Sequence, residues 1–208
     1  MGSFRFYLIT NRQQTRHDPL VLLPALAEAG LRALQIREKD LPLPALTTYC
    51  RSIQHALAAS GGSTDIYLNH EAELARELGL AGVHLRESSL PLSEQPPALR
   101  EALRWGVSTH NLAGARRAEA AGADFVTFGP VYETPSKAAM GDPVGLAALE
   151  AVTRAVRIPV LALGGITPER CGDCLAAGAS GVAAIGAIWN APDPIAALLA
   201  FQKALGGL

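Results

Sequence analysis

Gln35, Arg37 and Lys39 alternate along residues 33–40 (ALQIREKD), at the end of a short β-rich run. Alternation on a strand sends all three side chains to one side. Two cations on one side are costly unless they meet an anion or carboxylates, so the triplet suits a di- or polyphosphate better than a solvated turn. Glu38 is out of phase with them and reads as structural. A second anion pattern lies near the other end of the chain, where Gly164-Gly165 closes the apolar run 160–163 and leads directly into Thr167-Pro168-Glu169. This is an N-cap residue, a proline at the first helical position and an acid in the first turn. Ile185-Gly186 ends the next apolar run in a similar way. At both turns backbone amides can approach an anion with no side chain in between, and a following helix adds a favourable dipole. The competing reading is that tight strand-to-helix turns need small residues whatever they bind. Thr134, Ser136 and Lys137 sit in the loop 132–141, two hydroxyls beside an amine that suit a phosphate-clasping, water-excluding closure, or else a plain surface loop. His110 directly follows the run 105–109 (WGVST), where an imidazole suits general acid-base work near neutral pH. A polar residue that merely opens a helix is an equal reading of His110. Asn69-His70 ends another run, while His84 lies inside one and reads as a wall or core histidine.

The elements that position these residues form a repeating series. Strand patterns occupy residues 4–10, 33–37, 65–69, 82–85, 105–109, 124–131, 160–163 and 182–188, and helical patterns alternate with them. Pro24 inside the first helical pattern (19–30) places the start of its regular part at that proline. Eight β/α units predict a single-domain (β/α)8 barrel over residues 1–208, with a doubly wound open sheet as the alternative. The glycine turns then follow the seventh and eighth strands, where such barrels commonly bind phosphate.

Composition narrows the function. The 208 residues carry a formal net charge of −1, so no broad basic field exists for nucleic acid or an anionic membrane, and an anion site must be local. No apolar run approaches the roughly eighteen residues of a spanning helix, and the beginning of the chain lacks a signal-peptide layout, which predicts a cytoplasmic protein. Cys50, Cys171 and Cys174 cannot all pair and read as reduced thiols; Cys171-Gly172-Asp173-Cys174 has the C-x-x-C spacing but no second pair or nearby histidine to support a zinc or redox site.

Taken in order, QIREKD, YLN, GVHL, GVSTH, FGPVYETPSK, GGITPE and GVAAIGAI resemble the thiamine phosphate synthase and TenI superfamily over nearly the whole chain. The resemblance implies that pyrimidine diphosphate lies against Gln35, Arg37, Lys39, Asn69, Ser108 and Lys137. It places thiazole phosphate against Thr134, Ser136, Gly165, Ile185 and Gly186. Where the synthase carries two magnesium-binding aspartates, this chain has His70 and Ser89. Imidazole is a poor substitute for the hard oxygen ligands that magnesium prefers. The expectation is therefore a TenI-like thiazole tautomerase with no cofactor, in which His110 moves a proton to aromatise a carboxythiazole phosphate. The alternatives are a magnesium-dependent thiamine phosphate synthase and a non-catalytic ligand-sensing regulator. The expected partner is a small thiazole phosphate, with no nucleic acid or membrane; a homo-oligomer is compatible with the sequence.

Overall fold

The computed structural model describes residues 4–61, 63–89, 92–134 and 142–206. Eight parallel strands, β1 (Phe6–Ile9), β2 (Ala33–Ile36), β3 (Asp65–Asn69), β4 (Gly82–Leu85), β5 (Arg104–Thr109), β6 (Phe125–Phe128), β7 (Val160–Leu163) and β8 (Gly181–Ala184), close into a barrel. Closure comes from β1 pairing with β8, in the register Phe6 with Val182 and Leu8 with Ala184. The chain is a (β/α)8 barrel, and the open-sheet alternative is excluded by that pairing. Helices α1 (Pro19–Glu28), α2 (Leu43–Ala59), α3 (Ala72–Glu77), α4 (Pro97–Ala102), α5 (Leu112–Ala120), α6 (Gly145–Ala155), α7 (Pro168–Ala176), α8 (Gly186–Trp189) and α9 (Pro194–Ala204) connect the strands or follow them. Among the described residues, no helix is long and apolar enough to cross a membrane.

Two boundaries differ from the sequence expectation. Helix α1 begins at Pro19 rather than Pro24, because the Asp18 side chain accepts a hydrogen bond from the Leu20 amide at 2.9 Å and Leu23 and Leu26 are buried on either side of the proline. The missing N–H of Pro24 thus costs one bond inside an otherwise well-anchored turn. Strand β8 stops at Ala184, and Ile185 leaves the strand so that α8 can bury Ile188 and Trp189. The indole N–H of Trp189 then donates to the Ile9 carbonyl at 2.7 Å, tying this turn back to β1.

Side chains fill the barrel interior in layers. At the bottom Phe4 stacks on Tyr7 with ring centroids 5.3 Å apart, and Tyr7, Tyr67 and Phe125 meet edge to face at 5.4–5.6 Å. Inward positions 82 and 106 are glycines because those rings need the space. A Cβ on Gly82 would lie 2.8 Å from the Tyr67 ring, and one on Gly106 would lie 2.6 Å from His84 Nδ1 and collide with Phe125. His84 forms the next layer, buried among Tyr7 and Phe125 as a wall histidine. Its Nδ1 faces the Tyr7 hydroxyl at 3.4 Å, and its Nε2 faces the Ser108 hydroxyl at 3.0 Å. Burial first, then the nearby His70 and Arg37, push the His84 imidazole from 6.5 down to about 3.

Two stability outcomes are expected. Gly106→Ala should destabilise the chain by about 1–3 kcal/mol through overpacking, read as a lower urea midpoint at unchanged slope. The second concerns acid. Above 6.5 His84 is neutral folded or unfolded, whereas below it the unfolded chain binds a proton that the folded interior refuses until about 3, so stability falls as pH drops through that window. At about 1.4 kcal/mol per unit, the loss reaches several kcal/mol. Urea titrations across the window should show a flatter pH slope for His84→Asn than for the wild type; equal slopes would remove His84 as the cause.

Candidate active site

The mouth of the barrel is built on the inward positions above His84. Gln35 is buried at 2% exposure, while Asn69, Ser108 and Ile185 are half-buried on β3, β5 and the turn after β8. The strand register places Asn69 beside His84 and Ser108 beside Thr127, so these residues share one rim. Ser108 is further fixed from below by His84, a link that the sequence does not reveal because residues 84 and 108 belong to different units.

Arg37 and Lys39 follow the end of β2 at Ile36, the first half-buried and the second exposed in the turn, and Glu38 holds that segment in place. Its carboxylate is 6% exposed, accepts from the Thr10 hydroxyl at 2.6 Å, and accepts from the Arg12 amide at 3.0 and 3.2 Å. Thr10 in turn accepts from the Arg37 amide at 3.0 Å, and Arg12 pairs with Asp40. Burial pushes the Glu38 carboxyl up, opposed by the hydrogen bonds from Thr10 and Arg12. The structural reading of Glu38 holds. Arg37 is half-buried; burial, and then the neighbouring Arg86, pull its guanidinium below the ordinary value.

The positions where the resemblance implies magnesium carboxylates are joined to one another. Ser89 Oγ lies 3.2 Å from His70 Nδ1 and accepts from the Arg86 amide at 3.2 Å, while the His70 amide donates to the His84 carbonyl at 3.2 Å. His70 occupies the left-handed region at φ 71°, uncommon for a residue other than glycine. Burial, then Arg86, Lys39 and Arg37, disfavour its protonation. The nearby carboxylates are engaged elsewhere, Glu38 with Thr10 and Arg12, and Glu87 with Arg117 at 2.7 Å and the His110 amide at 3.2 Å. An imidazole and a hydroxyl among three cations do not fit magnesium, which requires hard anionic oxygens.

His110 stands at the end of β5, exposed, with Nδ1 2.6 Å from the Gly129 carbonyl oxygen. A carbonyl only accepts, so Nδ1 is the donor, and in the neutral ring this tautomer leaves the lone pair on Nε2. The helix-start role falls instead to Asn111, whose side chain accepts from the Gly114 amide at 2.8 Å. Gly164 and Gly165 adopt φ of 99° and 64° and lie against the segment after β6, where a Cβ on Gly164 would stand 2.5 Å from Pro130 and one on Gly165 2.8 Å from Tyr132 Cβ. That close packing, together with positive φ, explains the pair before any ligand is considered. At Gly186 the nearest neighbour of a Cβ is Asn190 Nδ2 at 3.2 Å, a much weaker demand. Thr134 is half-buried in the segment after β6, while Ser136 and Lys137 lie outside the described residues. Cys50, Cys171 and Cys174 are buried free thiols, and burial pushes Cys50 and Cys171 up to about 12, far from reactive thiolates.

Comparison with known proteins agrees with this architecture. A putative thiamine-phosphate synthase of Geobacter sulfurreducens is 44% identical over 193 residues, 92% of this chain and 90% of the relative. The thiamine-phosphate synthase of Anaeromyxobacter dehalogenans is 40% identical over 187 residues, 90% of this chain and 83% of its own. The solved structure of thiamine phosphate pyrophosphorylase from Pyrococcus furiosus superposes with a TM-score of 0.82 at 25% identity, covering 97% of this chain and 95% of that one. The family profile described as thiamine monophosphate synthase matches residues 6–188. With that match spanning all eight strands, the chain belongs to the thiamine monophosphate synthase (TMP-TENI) family of thiamine biosynthesis.

Proposed function

We propose that the chain is a thiamine-phosphate synthase, joining hydroxymethylpyrimidine diphosphate to thiazole phosphate with release of diphosphate. The observation that carries this reading is the pair of cations Arg37 and Lys39 just past the carboxyl end of β2, in a segment anchored through the buried Glu38 network. A monophosphate calls for fewer cations than a departing diphosphate, whose greater charge suits two of them close together. The names of the relatives favour the same reaction over the tautomerase that the substitution pattern alone puts first. In the transfer, the thiazole nitrogen bonds to the exocyclic methylene carbon of the pyrimidine as the carbon–oxygen bond to diphosphate breaks, and the electron pair leaves on that oxygen. Arg37 and Lys39 stabilise the charge that develops there, Gln35, Asn69 and Ser108 orient the pyrimidine, and the turns at Gly165 and Gly186 take the thiazole phosphate.

A thiazole tautomerase is the second reading. It is favoured by the His70–Ser89 pair in place of the carboxylates, and by the anchored His110, whose Nε2 lone pair is available to take a proton.

One assay separates the two. Given both synthase substrates, the purified chain should form thiamine phosphate, and Arg37→Ala should lower kcat/KM at least tenfold. His110→Asn should leave that synthesis within a fewfold of wild type. If instead no thiamine phosphate forms, a carboxythiazole phosphate is aromatised, and His110→Asn slows that step by roughly a hundredfold or more, the tautomerase takes first place.

A further inference from the structure

The residues where the family's metal ligands are expected form a different kind of anion site. We propose that Arg86 and His70, together with Arg37 and Lys39, bind the diphosphate group directly and make its neutralisation independent of a divalent metal; the diphosphate's identity as a leaving group rests on the synthase reading.

The placement follows from three adjacent strands. Ile36 is in register with Leu68, and Asn69 with His84, so Arg37, His70 and Arg86 leave the carboxyl ends of β2, β3 and β4 side by side. The turn after β4 closes through the Ser89 amide donating to the Arg86 carbonyl at 3.0 Å, and Ser89 Oγ joins that turn to His70. Because Ser89 Oγ already accepts the Arg86 amide, its own hydrogen is available to His70 Nδ1. In that arrangement Nε2 carries the ring proton. His70 Nε2 is buried and has no hydrogen-bond partner among the described residues. An imidazole with Nε2–H is a donor to an anionic oxygen, and burial first, then the surrounding cations, disfavour a second ring proton. The left-handed backbone of His70 is kept by its surroundings, the amide donating to the His84 carbonyl at 3.2 Å and the ring meeting Ser89 Oγ.

Arg86 supplies what the imidazole cannot. Its guanidinium is always charged and presents a planar fork of donors matched to phosphate oxygens. It is exposed at the rim, and its nearness to both Arg37 and His70 shows in the way it opposes their charged forms. Three like charges in one place are unfavourable without an anion among them. Glu87, the carboxylate next in the chain, is held away over α5 by Arg117 and the His110 amide, so it does not neutralise them.

Inorganic pyrophosphate is the probe. Isothermal titration of the full chain in EDTA should show binding, and saturating magnesium should leave the dissociation constant unchanged or weaken it, because the metal removes charge from the ligand. Arg86→Ala should weaken binding in EDTA tenfold or more, with Arg86→Lys between it and wild type. His70→Asp, which keeps a side chain tolerant of left-handed backbone, should weaken binding in EDTA at least as much and make it improve on adding magnesium. Absence of binding in EDTA, wild-type binding at least tenfold tighter with magnesium, or an Arg86→Ala constant within twofold of wild type would each overturn the proposal. Pyrophosphate binding of the expected kind in a chain that forms no thiamine phosphate would leave this site standing and remove the synthase reading.

Discussion

Closing eight parallel strands so that β1 meets β8 leaves no free edge, and it forces every second side chain of every strand into a narrow interior. That packing demand sets the height of everything above it. Gly82 and Gly106 make room for the rings of Tyr67 and Phe125, those rings and Tyr7 support His84, and His84 fixes the hydroxyl of Ser108 at the floor of the mouth. A polar rim thus rests directly on an aromatic plug. The cost is a buried imidazole that stays neutral far into the acid range.

One step further out, a buried carboxylate organises the cations. Glu38 points away from the mouth, yet Thr10, the Arg12 amide and the Arg37 amide all connect through it or its neighbour. Losing one partner of such a network strands a buried charge, which is more damaging than losing a surface ion pair. The two guanidinium-bearing segments after β1 and β2 are therefore shaped by a residue that touches no ligand.

Much of this was legible in the sequence. The eight β/α units and the inward Gln35 follow from strand periodicity, and the structure has them, with Glu38 buried in a hydrogen-bond network; Arg37 and Lys39 lie beyond Ile36, where β2 ends and strand alternation no longer applies. The start of α1 was not, since a capping aspartate and two buried leucines outweigh an internal proline. The end of β8 was missed for a related reason, because an apolar run cannot tell a strand from a short helix that buries Ile188 and Trp189. Gly164-Gly165 looked like an anion turn, and local packing against Pro130 and Tyr132 accounts for both glycines. The nearness of Arg86 to Arg37 and His70 could not be read at all, as it comes from the segments that follow β2 and β3 rather than from its own stretch of chain.

Glu87 carries a consequence beyond its own ion pair. Its two oxygens reach Arg117 on α5 and the amide of His110, while its backbone belongs to the same turn as Arg86 and Ser89. One carboxylate thereby ties the turn that carries Arg86 to the backbone of His110 and to the last turn of α5. A substitution at Glu87 would therefore release two sides of the mouth at once, whereas one at Arg117, an exposed partner, removes only the outer contact.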